Sequence, residues 1–354
     1  MVDWSLARQI AGFAAGSAPF PELDHDVRAM AVSAEGQLAA YTRLQPADAS
    51  PEPELVDRGE WADANLGAMG ELLDPVAERL AGRYASAGPL AGALRAATSA
   101  TLAAEVGLVM GYMSQRVLGQ YEVSLLQPEA TPRFLLVAPN LVSAGRDMGL
   151  DQESFLGWVV LHEMTHVLQF SGVPWLRPHL GALLREYMDT VEVRIDRGAA
   201  GGLPTLPDPA KLVEHFREGG LAALVQTREQ RRLMNRMQAL MAVVEGYAEH
   251  AMDAVGEEVL PAYAGLREAM DRRRGERSAP ERILQRLLGF EMKLRQYELG
   301  KRFCDSVVDR AGIEGLNAVW ESPAAVPTLH ELARPDVWLA RAAAGFGRRL
   351  AVGR

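Results

Sequence analysis

The segment His162-Glu163-Met164-Thr165-His166 carries two histidines and a glutamate in a His-Glu-x-x-His pattern. On a helix, residues i and i+4 share one face, so both imidazoles can address one cation about 2 Å from a ring nitrogen. Glu163 follows the first histidine directly and is rotated off that axis. It comes to lie beside the ion, where its carboxylate can hold a metal-bound water. Zinc lowers the pKa of such a water to about 7, and a nearby carboxylate can take the proton as the water attacks a carbonyl. The chemistry that these residues support is zinc-dependent hydrolysis. Phe155, Trp158, Val159 and Leu161 precede the pattern and Val167 and Phe170 follow it. Two imidazoles and a carboxylate turned toward such a core without a metal would be costly to desolvate. The competing reading is a solvated polar face, or histidines satisfied by backbone carbonyls.

A catalytic zinc usually keeps three protein ligands and one open position. The lone Cys304 lies too far downstream to be favoured, and two carboxylates compete for the third place. Glu186 lies 20 residues after His166, on the next helix. Glu245 lies in Val243-Val244-Glu245-Gly246-Tyr247-Ala248-Glu249-His250. There Gly246 lets another helix approach closely, and Glu249, one turn on, could buttress a ligand. The oxyanion of a tetrahedral intermediate also needs a donor besides the metal. Tyr247, Tyr297, His179 and His250 are the candidates. Tyr297 is singled out as catalytic because it sits in the polar run Arg295-Gln296-Tyr297-Glu298. His250 points elsewhere on the helix of Glu245, toward a supporting or surface role.

The elements that must position these groups are mostly helices. Apolar residues recur at three- and four-residue spacing over Trp4–Phe13, Glu22–Leu44, Glu54–Leu80 and Leu90–Leu118. The texture then changes. Tyr121–Leu126 alternates and Arg133–Ala138 is a short apolar run, so a hairpin or two neighbouring strands are expected there. Helices follow over Ser154–Phe170 and Leu180–Ile195, and from Leu212 onward with breaks near 256–261, 275–280 and 322–327. The fold class is α+β, predominantly helical, with a small sheet before the His-Glu-x-x-His helix. The chain divides into an N-terminal helical region (1–120), a core (121–260) and a C-terminal helical region (261–354), together one compact unit. The strand Phe134–Val137 could accept an extended substrate by β-addition. Asn140 reads as a turn residue. The loop Gly172–Pro178, with Trp175, either walls a cleft or is anchored by that ring.

Composition narrows the partners. With 37 basic and 46 acidic residues among 354, the net charge is −9. That argues against nucleic acid or an anionic membrane surface as partner. The basic cluster Arg272-Arg273-Arg274 is flanked by Glu268, Asp271 and Glu276 and reads as a solvated face. One cysteine excludes a disulfide framework and a zinc-ribbon site. It suits a reducing compartment. The first residues show no basic cluster followed by an apolar run, and the stretch 96–118 is broken by Glu105, Gln115 and Arg116. A cytoplasmic protein is therefore expected.

Glu245-Gly246-Tyr247-Ala248 resembles the third-ligand segment of gluzincin aminopeptidases, whereas the spacing to Glu186 is similar to that of thermolysin-like enzymes; the first likeness favours Glu245. More broadly, the chain resembles a bacterial family of zincin-like hydrolases and zinc-dependent metalloproteases, some associated with deazaflavin-coenzyme biosynthesis. The residues that carry the likeness are Ala138-Pro139-Asn140-Leu141-Val142, His162–Phe170 with Val173-Pro174-Trp175-Leu176, Glu245–Ala248 and Lys293-Leu294-Arg295-Gln296-Tyr297-Glu298. The resemblance implies a zincin-like metalloprotease fold and a Zn2+ site at His162, His166 and Glu245, with Glu163 as base. The expected function is a metallopeptidase acting on a peptide or small amide. The alternatives are a catalytically silent scaffold that keeps the fold, and an amide or ester hydrolase in coenzyme metabolism.

Overall fold

In the computed structural model, residues 2–84, 91–127, 129–190, 227–275 and 291–346 are described. Their contacts gather into two units that interleave along the chain. One holds the residues up to His25 together with Pro53–Gln152; the other holds Asp26–Glu52, Glu153–Thr190 and the described residues from Thr227 onward.

The first unit is built from helices α1 (Trp4–Ala15), α3 (Arg58–Tyr84), α4 (Ala91–Ser114) and α5 (Ala138–Asp147) with strands β1 (Pro53–Val56), β2 (Gly119–Glu122) and β3 (Arg133–Val137). Asp3 starts α1 by accepting the backbone N–H of Leu6 at 3.0 Å, the usual service of an aspartate at a helix N-terminus. The sheet order is β1-β3-β2. β3 runs parallel to β1, with Val137 opposite Val56, and antiparallel to β2, with Arg133 opposite Glu122. Two neighbouring strands are therefore present as expected, but the first is Gly119–Glu122 rather than Tyr121–Leu126. Strand β1 is a correction, because residues 54–56 had been read as helix. Four residues opened by a proline are too short to show a period, and a proline without an N–H suits the start of a strand at a sheet edge. Helix α3 begins only at Arg58.

Phe134, Leu135, Leu136 and Val137 are all fully buried, as a central strand covered on both faces should be. That position overturns the β-addition expectation for β3, since β1 and β2 already take both of its edges. Asn140 is also corrected. It is a buried residue of α5 whose amide donates to the carbonyls of Ser114 (2.7 Å) and Val117 (2.6 Å) at the end of α4, and accepts from Arg58 Nε at 2.7 Å. Ala7, Ala11, Trp61, Leu66 and Leu135 pack in one core beneath these elements.

The second unit consists of α2 (Val27–Thr42), α6 (Gln152–Gly172), α7 (Leu176–Asp189), α8 (Arg228–Val259), α9 (Tyr263–Gly275), α10 (Glu291–Asn317), α11 (Leu329–Leu332) and α12 (Pro335–Phe346). Thr227 and Gln230 form a capping box that starts α8, satisfying N–H groups that the helix itself leaves open. Phe155, Val243, Tyr247, Phe303 and Trp338 are fully buried within it. The protein is thus α+β and mostly helical, and among the described residues no helix is long and apolar enough to cross a membrane.

Candidate metal centre

Helix α6 is buried almost all round, enclosed by its neighbours. Between Ser154 and Gln169 every residue is buried except Gly157, His162 and His166. The two histidines therefore form the open stripe of an otherwise enclosed helix. Their rings meet edge to face, with centroids 4.8 Å apart and planes at 88°. Trp158, one turn earlier, lies parallel to the His162 ring at 6.0 Å.

Glu245 faces this stripe from α8. Its Oε2 lies 3.7 Å from His166 Nε2, longer than a hydrogen bond but close to the spacing of neighbouring donors around a tetrahedral ion with bonds of about 2 Å. One donor atom from each of His162, His166 and Glu245 lies within 4.8 Å of the others, and this is the sole such group of three or more His, Cys, Asp or Glu side chains found among the described residues. Two imidazoles and one carboxylate are a donor set that zinc accepts with an open fourth position. The residues present fit the ion.

A close helix crossing sets the height of Glu245. A Cβ on Gly246 would lie 2.2 Å from the carbonyl carbon of Gly300, and one on Gly300 would lie 1.9 Å from the carbonyl oxygen of Ala242. The backbones of α8 and α10 touch there, which only glycine on both helices allows. Sequence reasoning anticipated the approach at Gly246 but not its partner Gly300.

Sequence reasoning also missed Gln169. This fully buried side chain meets His166 Nδ1 through Oε1 at 2.9 Å and donates from Nε2 to the carbonyl of Val244 at 2.8 Å. The signal was available, because residues three apart on a helix are neighbours. His162 Nδ1 faces a softer neighbour, Met252 Sδ at 3.0 Å. Glu163 is buried at 8% exposure, one helical step from His162.

The other candidates go elsewhere. Glu186 is an exposed residue of α7 and does not join the cluster. Tyr247 is no oxyanion donor. It is wholly buried, and its hydroxyl donates to Asn317, whose amide reaches the Thr42 carbonyl; burial pushes its pKa up. Tyr297 falls on α10, and its side chain lies outside the described residues. His179 packs edge-on against Trp175; burial and the nearby Arg236 lower its pKa. Trp175 anchors its loop by donating to the Trp320 carbonyl at 2.7 Å. Glu249, expected to buttress a ligand, is ion-paired with Arg267. His250 is bonded at both ring nitrogens, to Tyr41 and Asp305. Cys304 is buried and takes part in no disulfide.

The protein is thus a helical α+β fold whose His162, His166 and Glu245 are able to hold a metal ion. Residues 2–339 match the model of the zincin-like metallopeptidases, and the chain belongs to that family. A solved structure of a candidate hydrolase with a novel fold, from Chloroflexus aurantiacus, is similar at a TM-score of 0.72 and 28% identity, covering 96% of this chain and 98% of that one. No curated protein matches.

Proposed function

We propose that this protein is a zinc-dependent peptidase in which His162, His166 and Glu245 hold the ion and Glu163 serves as general base. The observation that carries the reading is the open stripe of His162 and His166 on an enclosed helix, faced by the Glu245 carboxylate of α8. A bound zinc would supply Lewis-acid polarisation of the scissile carbonyl and a water acidic enough to react near neutral pH. The Glu163 carboxylate would hold the attacking water, accept its proton and deliver that proton to the leaving amine. The substrate is a peptide or a small amide, a choice supported by family membership. A cytoplasmic setting belongs to the same proposal and is supported by the single cysteine of the sequence.

The test is digestion of a mixed peptide library by zinc-loaded protein with and without a chelator. Cleavage that the chelator abolishes and added zinc restores is the expected result. A protein that binds zinc yet leaves every peptide intact would overturn the peptidase reading and favour a fold retained for binding.

A further inference from the structure

We propose that Gln169 is a positioning residue of the metal centre, fixing the tautomer and tilt of His166 through its amide oxygen, while its second bond contributes to the stability of the helix packing. The inference rests on His162, His166 and Glu245 being the cation ligands.

Which end of a glutamine amide is oxygen must be settled from its hydrogen-bond partners, and here the partners settle it. The Val244 carbonyl only accepts, so the atom 2.8 Å from it is the amide nitrogen. The amide oxygen is then the atom 2.9 Å from His166 Nδ1. An amide oxygen has no proton to give, so Nδ1 of His166 carries the hydrogen. The lone pair is left on Nε2, the nitrogen 3.7 Å from Glu245. The amide thereby selects the tautomer that a cation needs at that place, as outer partners of metal-bound histidines do.

The second bond of the same amide adds a mechanical link. Val244 directly precedes Glu245, so one buried side chain holds the ring of one ligand and the backbone beside another. Gln169 is fully buried and has little freedom to relax. A glutamine serving only to join two helices would have no reason to spend its acceptor on the ring that faces Glu245.

The experiment is a zinc titration against a chromophoric chelator on the full chain, comparing wild type with Gln169→Leu and Gln169→Glu, each checked for native circular dichroism. Gln169→Leu removes both bonds, and about a 10–100-fold loss of zinc affinity is expected. Gln169→Glu keeps an acceptor for His166 and gives up the donor to Val244. It should fall in melting temperature yet hold zinc within about threefold of wild type, because the outer-shell effect acts through the ring. A folded Gln169→Leu protein with wild-type affinity overturns the proposal. If that variant does not fold, Gln169→Glu decides alone, and a tenfold or larger loss overturns it. Wild-type protein that binds no zinc overturns this inference and the ligand assignment together, whereas wild-type binding with an indifferent Gln169→Leu removes only the role of Gln169.

Discussion

Helix α8 contributes to two histidine–carboxylate clusters, through Glu245 and through His250, and their chemistry diverges. At His250 both ring nitrogens are spent, Nε2 on Tyr41 Oη at 2.7 Å and Nδ1 on Asp305 Oδ1 at 2.8 Å. Lys301 joins Asp305 at 2.7 Å and Asp253 at 2.9 Å. At His166 one nitrogen is spent on Gln169, while the other faces Glu245 beyond hydrogen-bond range. An imidazole binds a cation through a free ring lone pair, and of these two histidines only His166 has a ring nitrogen not already hydrogen-bonded. Residue type names the candidates for a ligand; the hydrogen bonds left over choose among them.

The largest expected effect separates catalysis from holding the ion. Glu163→Gln should lower kcat by about 100–10,000-fold, the range for losing a positioned general base, while zinc content by elemental analysis stays at the wild-type level. Turnover equal to wild type on any cleaved peptide would remove Glu163 from the chemistry.

Next comes the contrast itself. His166→Ala should weaken zinc binding by more than about 100-fold, beyond what loss of an outer partner costs. His250→Ala should leave zinc binding unchanged and lower stability by about 1 kcal/mol, because it removes hydrogen bonds to Tyr41 and Asp305, which are only partly buried. Paired zinc titrations and urea melts of the two variants check this. Zinc loss in the His250 variant would erase the distinction between the clusters.

A smaller effect concerns the crossing that places Glu245. Gly300→Ala sets a Cβ 1.9 Å from the Ala242 oxygen, so α10 must move away, at about 1–3 kcal/mol for overpacking. Because Glu245 lies on α8, the helix that α10 presses against at this crossing, zinc affinity should fall along with melting temperature. Gly265→Ala, where nothing lies within 4 Å of the added carbon, serves as the control; it should leave zinc affinity unchanged and raise the melting temperature slightly, since alanine favours a helix over glycine.

How far the sequence revealed this depends on range. The pairing of His162 with His166 was legible because it needs only helical periodicity. The preference for Glu245 over Glu186 came from a local pattern, Glu-Gly-aromatic-Ala, and the structure brings Glu245 to the histidines while leaving Glu186 exposed. The α+β class and the neighbouring strands β2 and β3 were readable from the change in texture after Gly119. Strand β1 was not, since its parallel partner β3 lies some eighty residues away and four residues carry no period of their own. Tyr247 and His250 stayed among the oxyanion candidates for a related reason. Their partners Asn317, Tyr41 and Asp305 sit on other helices, and no local spacing reveals that a polar group is already satisfied.

The smallest expected effect tests that satisfaction by titration. Burial opposes ionisation of Asp305, but hydrogen bonds from His250 and Lys301, aided by the charge of Lys301, outweigh it and hold the carboxyl below its ordinary value. A carboxyl whose folded pKa is depressed contributes stability above its unfolded value, about 3.9, and loses that contribution as pH falls through the folded value. Asp305→Asn should therefore melt below wild type at pH 7, with the gap narrowing as pH drops beneath about 4. Asp305 is partly exposed, at 38% of its side-chain surface, so solvent screening keeps the gap small. A gap that stays constant from pH 7 to pH 3 would mean that the carboxylate charge does not hold this cluster together, and that its bonds to His250 and Lys301 act only as neutral packing.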